Sequence, residues 1–327
     1  MIVVTGGTGH IGNVLVRELI KKGEKVRLLL LPGEKTESLE GLSFEKVEGD
    51  VQKIATLEKA FAGAKAVFHL AGIISISPGQ KKLIYQVNVE GTKNVIKACL
   101  KTGVKRLVYT SSIHAFVEPP SDETINEDQL IIPEGVSGHY AKSKAMATLA
   151  VLKAVKEKKL NAVIVAPSGV IGPYDYKISE LGHLIIDFAH KKLKAFINGA
   201  YDFVDVRDVV AGLIAAMEKG RKGEIYILSG EQIKIKEILK ILTKVTGKKA
   251  PVYAMPAWLA IATAPFSILY YRILKAKPLF TAYSVRVLMS NSKTDHSKAR
   301  QELGYNPRTV RESINDSYIW FKEHGYI

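Results

Sequence analysis

A single cysteine, Cys99, in 327 residues excludes an intrachain disulfide and a multi-thiolate metal site. It lies in VIKACL, a helical pattern, where a buried apolar role is expected. No HExxH, CxxC or clustered carboxylate motif occurs, and His139 and His183 lack partners at ligand spacing, so no metal is expected. No repeat of solenoid period is present. The formal charge of +15 is spread as short lysine pairs without interleaved aromatics, which argues against nucleic-acid binding. A strand pattern starts at once in MIVVTGG, so no signal or transit peptide is expected and a cytoplasmic location is the default. Long apolar runs are scarce as well. The exception, Trp258–Leu274, is short for a membrane span and is interrupted by Pro265 and Arg272.

A hydrophobic fraction of 47% and a mean hydropathy of +0.06 describe an ordinary globular chain with room for a sizeable core. Short runs rich in Val, Ile and Leu (residues 2–5, 26–31, 43–47, 66–70, 106–111 and 162–166) read as strands buried on both faces. Helical stretches separate them at residues 11–22, 54–61, 83–101 and 140–158. This alternation predicts an α/β fold with a doubly wound parallel Rossmann sheet. The expected division is a dinucleotide-binding domain over residues 1–166 and a smaller, mostly helical substrate lobe over 167–327, with later segments free to return to the sheet. Past Pro167 the pattern predicts strands at 203–206 and 225–228 and helices at 209–219, 235–246, 297–303 and 310–324. The Trp258–Leu274 stretch reads first as a broken helix covering an apolar pocket. A monotopic membrane contact, aided by Lys275 and Lys277, is the alternative.

The first strand runs into Gly6-Gly7-Thr8-Gly9-His10-Ile11-Gly12 and then a helix. Backbone amides at such a helix start can hold a pyrophosphate, and the glycines permit the tight turn and the ligand's close approach. Strand before and helix after make the signal strong. An NAD site usually places an acid at the end of the second strand; here that end is Leu30-Leu31-Pro32-Gly33, followed by Glu34 and Lys35. Lys35 could meet a 2′-phosphate and Glu34 a ribose hydroxyl. The missing strand-end acid tilts the expectation to NADP(H) over NAD(H), a direction in line with the positive field of the chain.

Tyr140 and Lys144 stand four positions apart in HYAKSKAMATLAVLKAVKE and so share one helix face. A nearby ammonium favours phenolate, which makes a tyrosine a general acid or base near neutral pH. A hydroxyl cluster, Thr110-Ser111-Ser112, lies upstream at the end of a strand.

Together, Thr5-Gly6-x-x-Gly9-x-x-Gly12, Tyr109-Thr110-Ser111-Ser112 and Tyr140-x-x-x-Lys144 resemble the extended short-chain dehydrogenase/reductase superfamily. Gly49-Asp50-Val51 resembles its adenine-contacting turn, and His69-Leu70-Ala71-Gly72 its turn beneath the cofactor. Asn88-Val89-x-Gly91-Thr92, Pro167-Ser168-Gly169-Val170 and Phe203-Val204-Asp205-Val206-Arg207 resemble later segments. The chain is most similar to the dihydroflavonol-reductase-like and 3-beta-hydroxysteroid-dehydrogenase-like branch, although that branch often has Arg where Leu31 stands.

The resemblance implies hydride transfer between nicotinamide C4 and a carbinol or carbonyl carbon. In it Tyr140 exchanges the proton, Lys144 lowers the Tyr140 pKa and holds the nicotinamide ribose, and Ser112 orients the substrate oxygen. Ser111 or Thr110 could stand in for Ser112, and Asn88 could organise a proton relay. The implied cofactor contacts are Gly6, Gly9, His10, Ile11, Gly12, Lys35, Asp50, Val51, Leu70, Ala71, Gly72, Tyr140, Lys144, Pro167 and Val170. His114, Tyr201 and Phe203 are candidate pocket walls. The expected substrate is a mostly apolar or aromatic small molecule. A nucleotide-sugar epimerase or dehydratase, with Arg207 and Arg308 clamping a diphosphate, is the competing enzyme reading. A non-catalytic dinucleotide sensor would not need Ser112, Tyr140 and Lys144 together. A homodimer through the helices at 83–101 and 140–158 would also match the superfamily.

Overall fold

The computed structural model describes residues 1–74, 80–263 and 282–327. Seven parallel strands form the central sheet. In sequence these are β1 (Ile2–Thr5), β2 (Val26–Leu30), β3 (Glu45–Glu48), β4 (Ala66–His69), β5 (Arg106–Thr110), β6 (Ala162–Pro167) and a late strand, Ile225–Leu228. Across the sheet the order is β3-β2-β1-β4-β5-β6 and then Ile225–Leu228. β1 lies between β2 and β4, with Thr5 opposite Leu29 on one side and His69 on the other. The order reverses at β1, and the crevice outside the strand ends there is where this fold takes its ligand.

β1, β4 and β6 are buried along their whole length, as expected of strands covered by helices on both faces. α1 (His10–Lys21) covers one face and packs on the helix Val206–Glu218. On the other face lie α2 (Ile54–Phe61), α3 (Lys81–Tyr85), α4 (Thr92–Thr102) and α5 (His139–Lys158). The two faces correspond to two separate apolar clusters, one holding Phe61, Cys99 and Val151, the other Leu15, Leu28 and Leu213. The buried face of α5 is lined by Ala141, Ser143, Ala145, Ala147 and Thr148. Such small side chains let the helix approach the sheet closely and so bury Lys144.

The chain returns to the central sheet after residue 167: Ile225–Leu228 pairs with β6, and Tyr305 donates a hydrogen bond to the Ser229 carbonyl from the far end of the sequence. The remaining lobe holds a three-stranded sheet of Glu231–Lys234, Ala200–Asp205 and Gly169–Ile171. Several boundaries differ from the sequence expectation. The strand near 203 spans Ala200–Asp205, and the next helix starts at Val206, because Asp205 caps it by accepting from the Arg207 amide. A helix at Glu180–Ala189, capped by Ser179, had no counterpart in the pattern. The helix expected over 83–101 is interrupted by a π-helical turn, Gln86–Gly91. The region after 250 includes a short strand, Ala254–Met255, before a helical turn at 257–263. The rest of the Trp258–Leu274 stretch, with Lys275 and Lys277, lies outside the described residues. Among the described residues, no helix is long and apolar enough to cross a membrane.

Candidate active site

The glycine turn closes on itself. Gly6 has φ +75°, and its carbonyl accepts the Gly9 amide at 3.1 Å. A Cβ at Gly12 would sit 2.1 Å from the Gly6 oxygen, and one at Gly6 would sit 2.7 Å from the Ala71 nitrogen. These two glycines are therefore required by the protein itself. Gly9 is different. It has an ordinary φ of −75°, and a Cβ there would meet only the Gly6 oxygen, at 3.3 Å. The space it leaves lies at the start of α1, where no side chain caps the first amides. A bare, uncapped helix start fits a pyrophosphate.

Beneath this turn runs a buried polar chain. The Ala71 amide donates to Thr5 Oγ1 at 3.2 Å, Thr5 Oγ1 meets His69 Nδ1 at 2.8 Å, and His69 Nε2 meets Thr92 Oγ1 at 3.0 Å. Thr92 then donates to the Asn88 carbonyl at 2.7 Å. Burial, with Lys144 close by, pushes the His69 pKa down to about 3, so the ring is neutral. Each hydroxyl has one proton, which assigns the His69 proton to Nε2 and makes the chain run one way. It locks Ala71, and with it Leu70 and Gly72, against β1.

The π turn brings Asn88 to the same place. Its Oδ1 accepts the Ile73 amide at 2.8 Å, while Nδ2 donates to the Ile73 carbonyl at 3.1 Å and to Ser143 Oγ at 2.9 Å. Both amide protons are engaged, so the side chain clamps the segment after β4 to α5. The inserted turn also presses Gly91 onto Val51, whose carbonyl is held by Asn94. Asp50 accepts the Gln52 amide and shapes the turn after β3.

Lys144 is 6% exposed and donates to the Thr110 carbonyl at 2.8 Å, with its ammonium 5.3 Å from the Tyr109 ring centre. Burial lowers its pKa from 10.5 to about 8. A Cβ on Gly72 would lie 3.6 Å from the ammonium and 3.2 Å from Asn88 Oδ1. Gly72, Asn88 and Lys144 therefore converge.

Of the three neighbouring hydroxyls, Ser111 bonds Thr148 at 2.7 Å on the α5 side and is spent there. Ser112 is 7% exposed, and its oxygen accepts the His114 amide at 3.3 Å, which leaves its proton for another acceptor. Thr110 Oγ1 is buried without a partner. The His114 ring meets the Tyr140 ring edge-on at 6.3 Å and shares a 2.8 Å hydrogen bond with the Tyr201 hydroxyl. Burial lowers the His114 pKa to about 4, so it too is neutral. Tyr201 packs on Phe203 at 5.5 Å. The strand Ala200–Asp205 thus delivers an aromatic wall beside Tyr140. Pro167 ends β6, and Val170 pairs with Val204 in the adjoining sheet.

Four candidates sit otherwise than the sequence suggested. The Lys35 side chain is 82% exposed and pairs with Glu37 at 3.6 Å. Glu34 holds the position instead: its carboxylate accepts from the Thr8 hydroxyl and, at 3.0 Å, from the Leu31 amide. The His10 ring is held by the protein itself, donating to the Pro173 carbonyl at 2.9 Å. Arg207 is neutralised by Asp205 and Asp316, and Arg308 by Asp208, so neither is free to clamp a diphosphate. Lys177, which donates to Thr8 at 3.0 Å and lies 3.7 Å from Glu34, carried no sequence signal. Its side chain arrives from another part of the chain, and a lone lysine in a loop marks nothing.

The family model "NAD dependent epimerase/dehydratase family" matches residues 2–229. The chain is 36% identical to "Sterol demethylase protein B" of Methylococcus capsulatus, over 99% of both chains. It is 33% identical to "3beta-hydroxysteroid-dehydrogenase/decarboxylase isoform 1" of Arabidopsis thaliana, over 93% of this chain and 75% of that protein. The crystal structure of gox2253 superposes with a TM-score of 0.88 at 31% identity, covering 100% of this chain and 99% of that one. With its seven-stranded Rossmann sheet and Gly-rich turn, the chain belongs to the NAD-dependent epimerase/dehydratase family of extended short-chain dehydrogenases/reductases.

Proposed function

We propose that this protein is a nicotinamide-dependent oxidoreductase that interconverts a hydroxyl and a ketone on an apolar, fused-ring molecule of the sterol type. One observation carries the reading: at the carboxyl edge of β5, Lys144 holds the Thr110 carbonyl, Ser112 accepts the His114 amide, and the His114 ring meets the Tyr140 ring edge-on. The names of the two curated relatives support the sterol class. The engagement of Arg207 and Arg308 by carboxylates speaks against a nucleotide sugar.

When bound, the dinucleotide supplies the hydride acceptor or donor. The rest falls to the chain. Ser112 accepts the His114 amide and directs its own proton to the substrate oxygen. The Tyr140 phenol oxygen takes the hydroxyl proton in oxidation and returns it in reduction. Lys144, held by the Thr110 carbonyl, favours the phenolate. The chain Thr5–His69–Thr92 and the Asn88 clamp keep these groups in register with the glycine turn. If the substrate carries a carboxyl β to the new ketone, the product is a β-keto acid and loses CO2 without a further catalyst.

For the cofactor, the Glu34 carboxylate at the glycine turn supports NAD(H) over the NADP(H) expected from sequence, because it would repel a 2′-phosphate. Self-association through α5 and the helix Thr92–Thr102 is supported by the exposed Leu100, Met146 and Leu149. The test of function is absorbance at the reduced-nicotinamide band with 3β-hydroxysteroids, aromatic ketones and nucleotide sugars, with product masses. Steady turnover of a steroid alcohol that disappears in Tyr140→Phe is expected. Epimerisation of a nucleotide sugar with no net nicotinamide turnover would overturn the assignment.

A further inference from the structure

Among the described residues, a surface outside the site with unexplained apolar character lies near the C-terminal part of the chain. Val252 is 98% exposed, Trp258 70% and Tyr253 58%. An exposed apolar cluster of this kind marks an interaction surface. It stands on firm ground: Ala260, Ile197 and Val285 are buried together beneath the turn that carries Trp258.

The fold adds charge to this patch. The strand Phe196–Ile197 runs parallel to Ala254–Met255, and the Phe196 amide donates to the Tyr253 carbonyl at 3.1 Å. Lys248 bonds the Ala189 carbonyl. These contacts set the segment that carries the exposed Lys191, Lys192 and Lys194 beside the segment that carries Lys249 and Tyr253, although some sixty positions separate them in sequence. The sequence itself is one-sided here. Between Glu237 and Asp295 there is no acidic residue, whereas nine lysines and arginines occur.

We propose that this face, residues 191–194 with 248–258, docks on the surface of an anionic phospholipid bilayer. Trp and Tyr side chains favour the headgroup level, with the ring in the acyl boundary and the polar atom in water. Surrounding lysines are drawn to anionic headgroups and can lay their stems along apolar surface. An acidic protein partner fits less well, since lysine is depleted at protein interfaces. The contact is interfacial, in keeping with the absence of a spanning helix among the described residues. It does not depend on the reaction assigned above, because binding is read without substrate.

The experiment is co-sedimentation of the full chain with vesicles of phosphatidylcholine alone or with roughly one third phosphatidylglycerol, at low and high salt. Tryptophan emission is read in parallel in Trp320→Phe, which isolates Trp258 from the buried Trp320. Binding to the anionic vesicles, a blue shift of Trp258 and weakening by salt are expected. Trp258→Asp, and separately Lys191, Lys192 and Lys194 changed together to Gln, should each weaken binding roughly tenfold or more. Thermal melting and near-UV circular dichroism check that these variants fold. Three outcomes would overturn the proposal: no vesicle binding by the wild type, equal binding by folded variants, or lipid-free self-association that Trp258→Asp abolishes.

Discussion

Replacing Lys144 with Met should make the ligand-free protein more stable and inactive. The ammonium is buried, with one carbonyl and one aromatic face as its surroundings, and its pKa falls from 10.5 to about 8. At about 1.4 kcal/mol per pH unit, that fall corresponds to a penalty of about 3 kcal/mol at neutral pH. Met fills nearly the same volume without charge but leaves the Thr110 carbonyl unpaired, which costs about 1–2 kcal/mol. The net gain is therefore about 1–2 kcal/mol, or about 2–3 °C in Tm for a chain of this length. The pH dependence has a definite sign. Below about pH 8 the lysine is charged in both folded and unfolded chains, and the penalty is complete. Between about 8 and 10.5 the unfolded chain binds more protons, so the wild type gains stability relative to the variant as pH rises. The variant's advantage is gone between about pH 9 and 10, and above 10.5 the unpaired Thr110 carbonyl leaves the variant the less stable of the two. Paired calorimetric scans from pH 7 to 10.5 read the difference directly, and all other titrations cancel. A lower Tm for Lys144→Met at pH 7, or a difference that does not shrink with pH, would refute the reasoning.

Other substitutions separate the parts of the site. Tyr140→Phe should lower kcat by about a hundredfold or more, with nucleotide affinity unchanged in a fluorescence titration; near-normal turnover would remove Tyr140 from the chemistry. Gly9→Val should weaken nucleotide binding and cost less stability than a side chain at position 12, since a Cβ at position 9 meets one backbone oxygen, at 3.3 Å. Gly12→Ala should instead unfold or severely destabilise the protein, because its Cβ would lie 2.1 Å from a backbone oxygen; equal melting of the two variants would contradict this. Glu34→Gln should raise the NADP-to-NAD ratio of kcat/KM by about tenfold, as removal of a nearby like charge allows, whereas Lys35→Gln should leave it unchanged, given the exposed pairing of Lys35 with Glu37.

The amino-acid sequence determined the architecture and the chemical vocabulary of this protein. Runs of Val, Ile and Leu at regular spacing admit little besides a parallel sheet covered on both faces, so the six leading strands were legible within a few residues. The glycine turn was legible because its backbone geometry excludes side chains at Gly6 and Gly12. The Tyr140–Lys144 pair was legible because helical periodicity puts both on one face. Such signals are local, and local sterics write them into neighbouring residues. Tertiary structure decided the rest. That Ser112 rather than Ser111 keeps a free proton depends on Thr148, which engages Ser111 from α5. Whether Glu34 or its neighbour Lys35 meets the glycine turn depends on the course of the loop after β2 and on Lys177, far along the chain. The availability of Arg207 and Arg308 is settled by carboxylates up to a hundred or so positions distant. The neutrality of His69 and His114 follows from burial, which no single residue encodes. Composition and period fix backbone conformation, whereas the charge and the free lone pairs of a side chain belong to whatever the fold sets beside it.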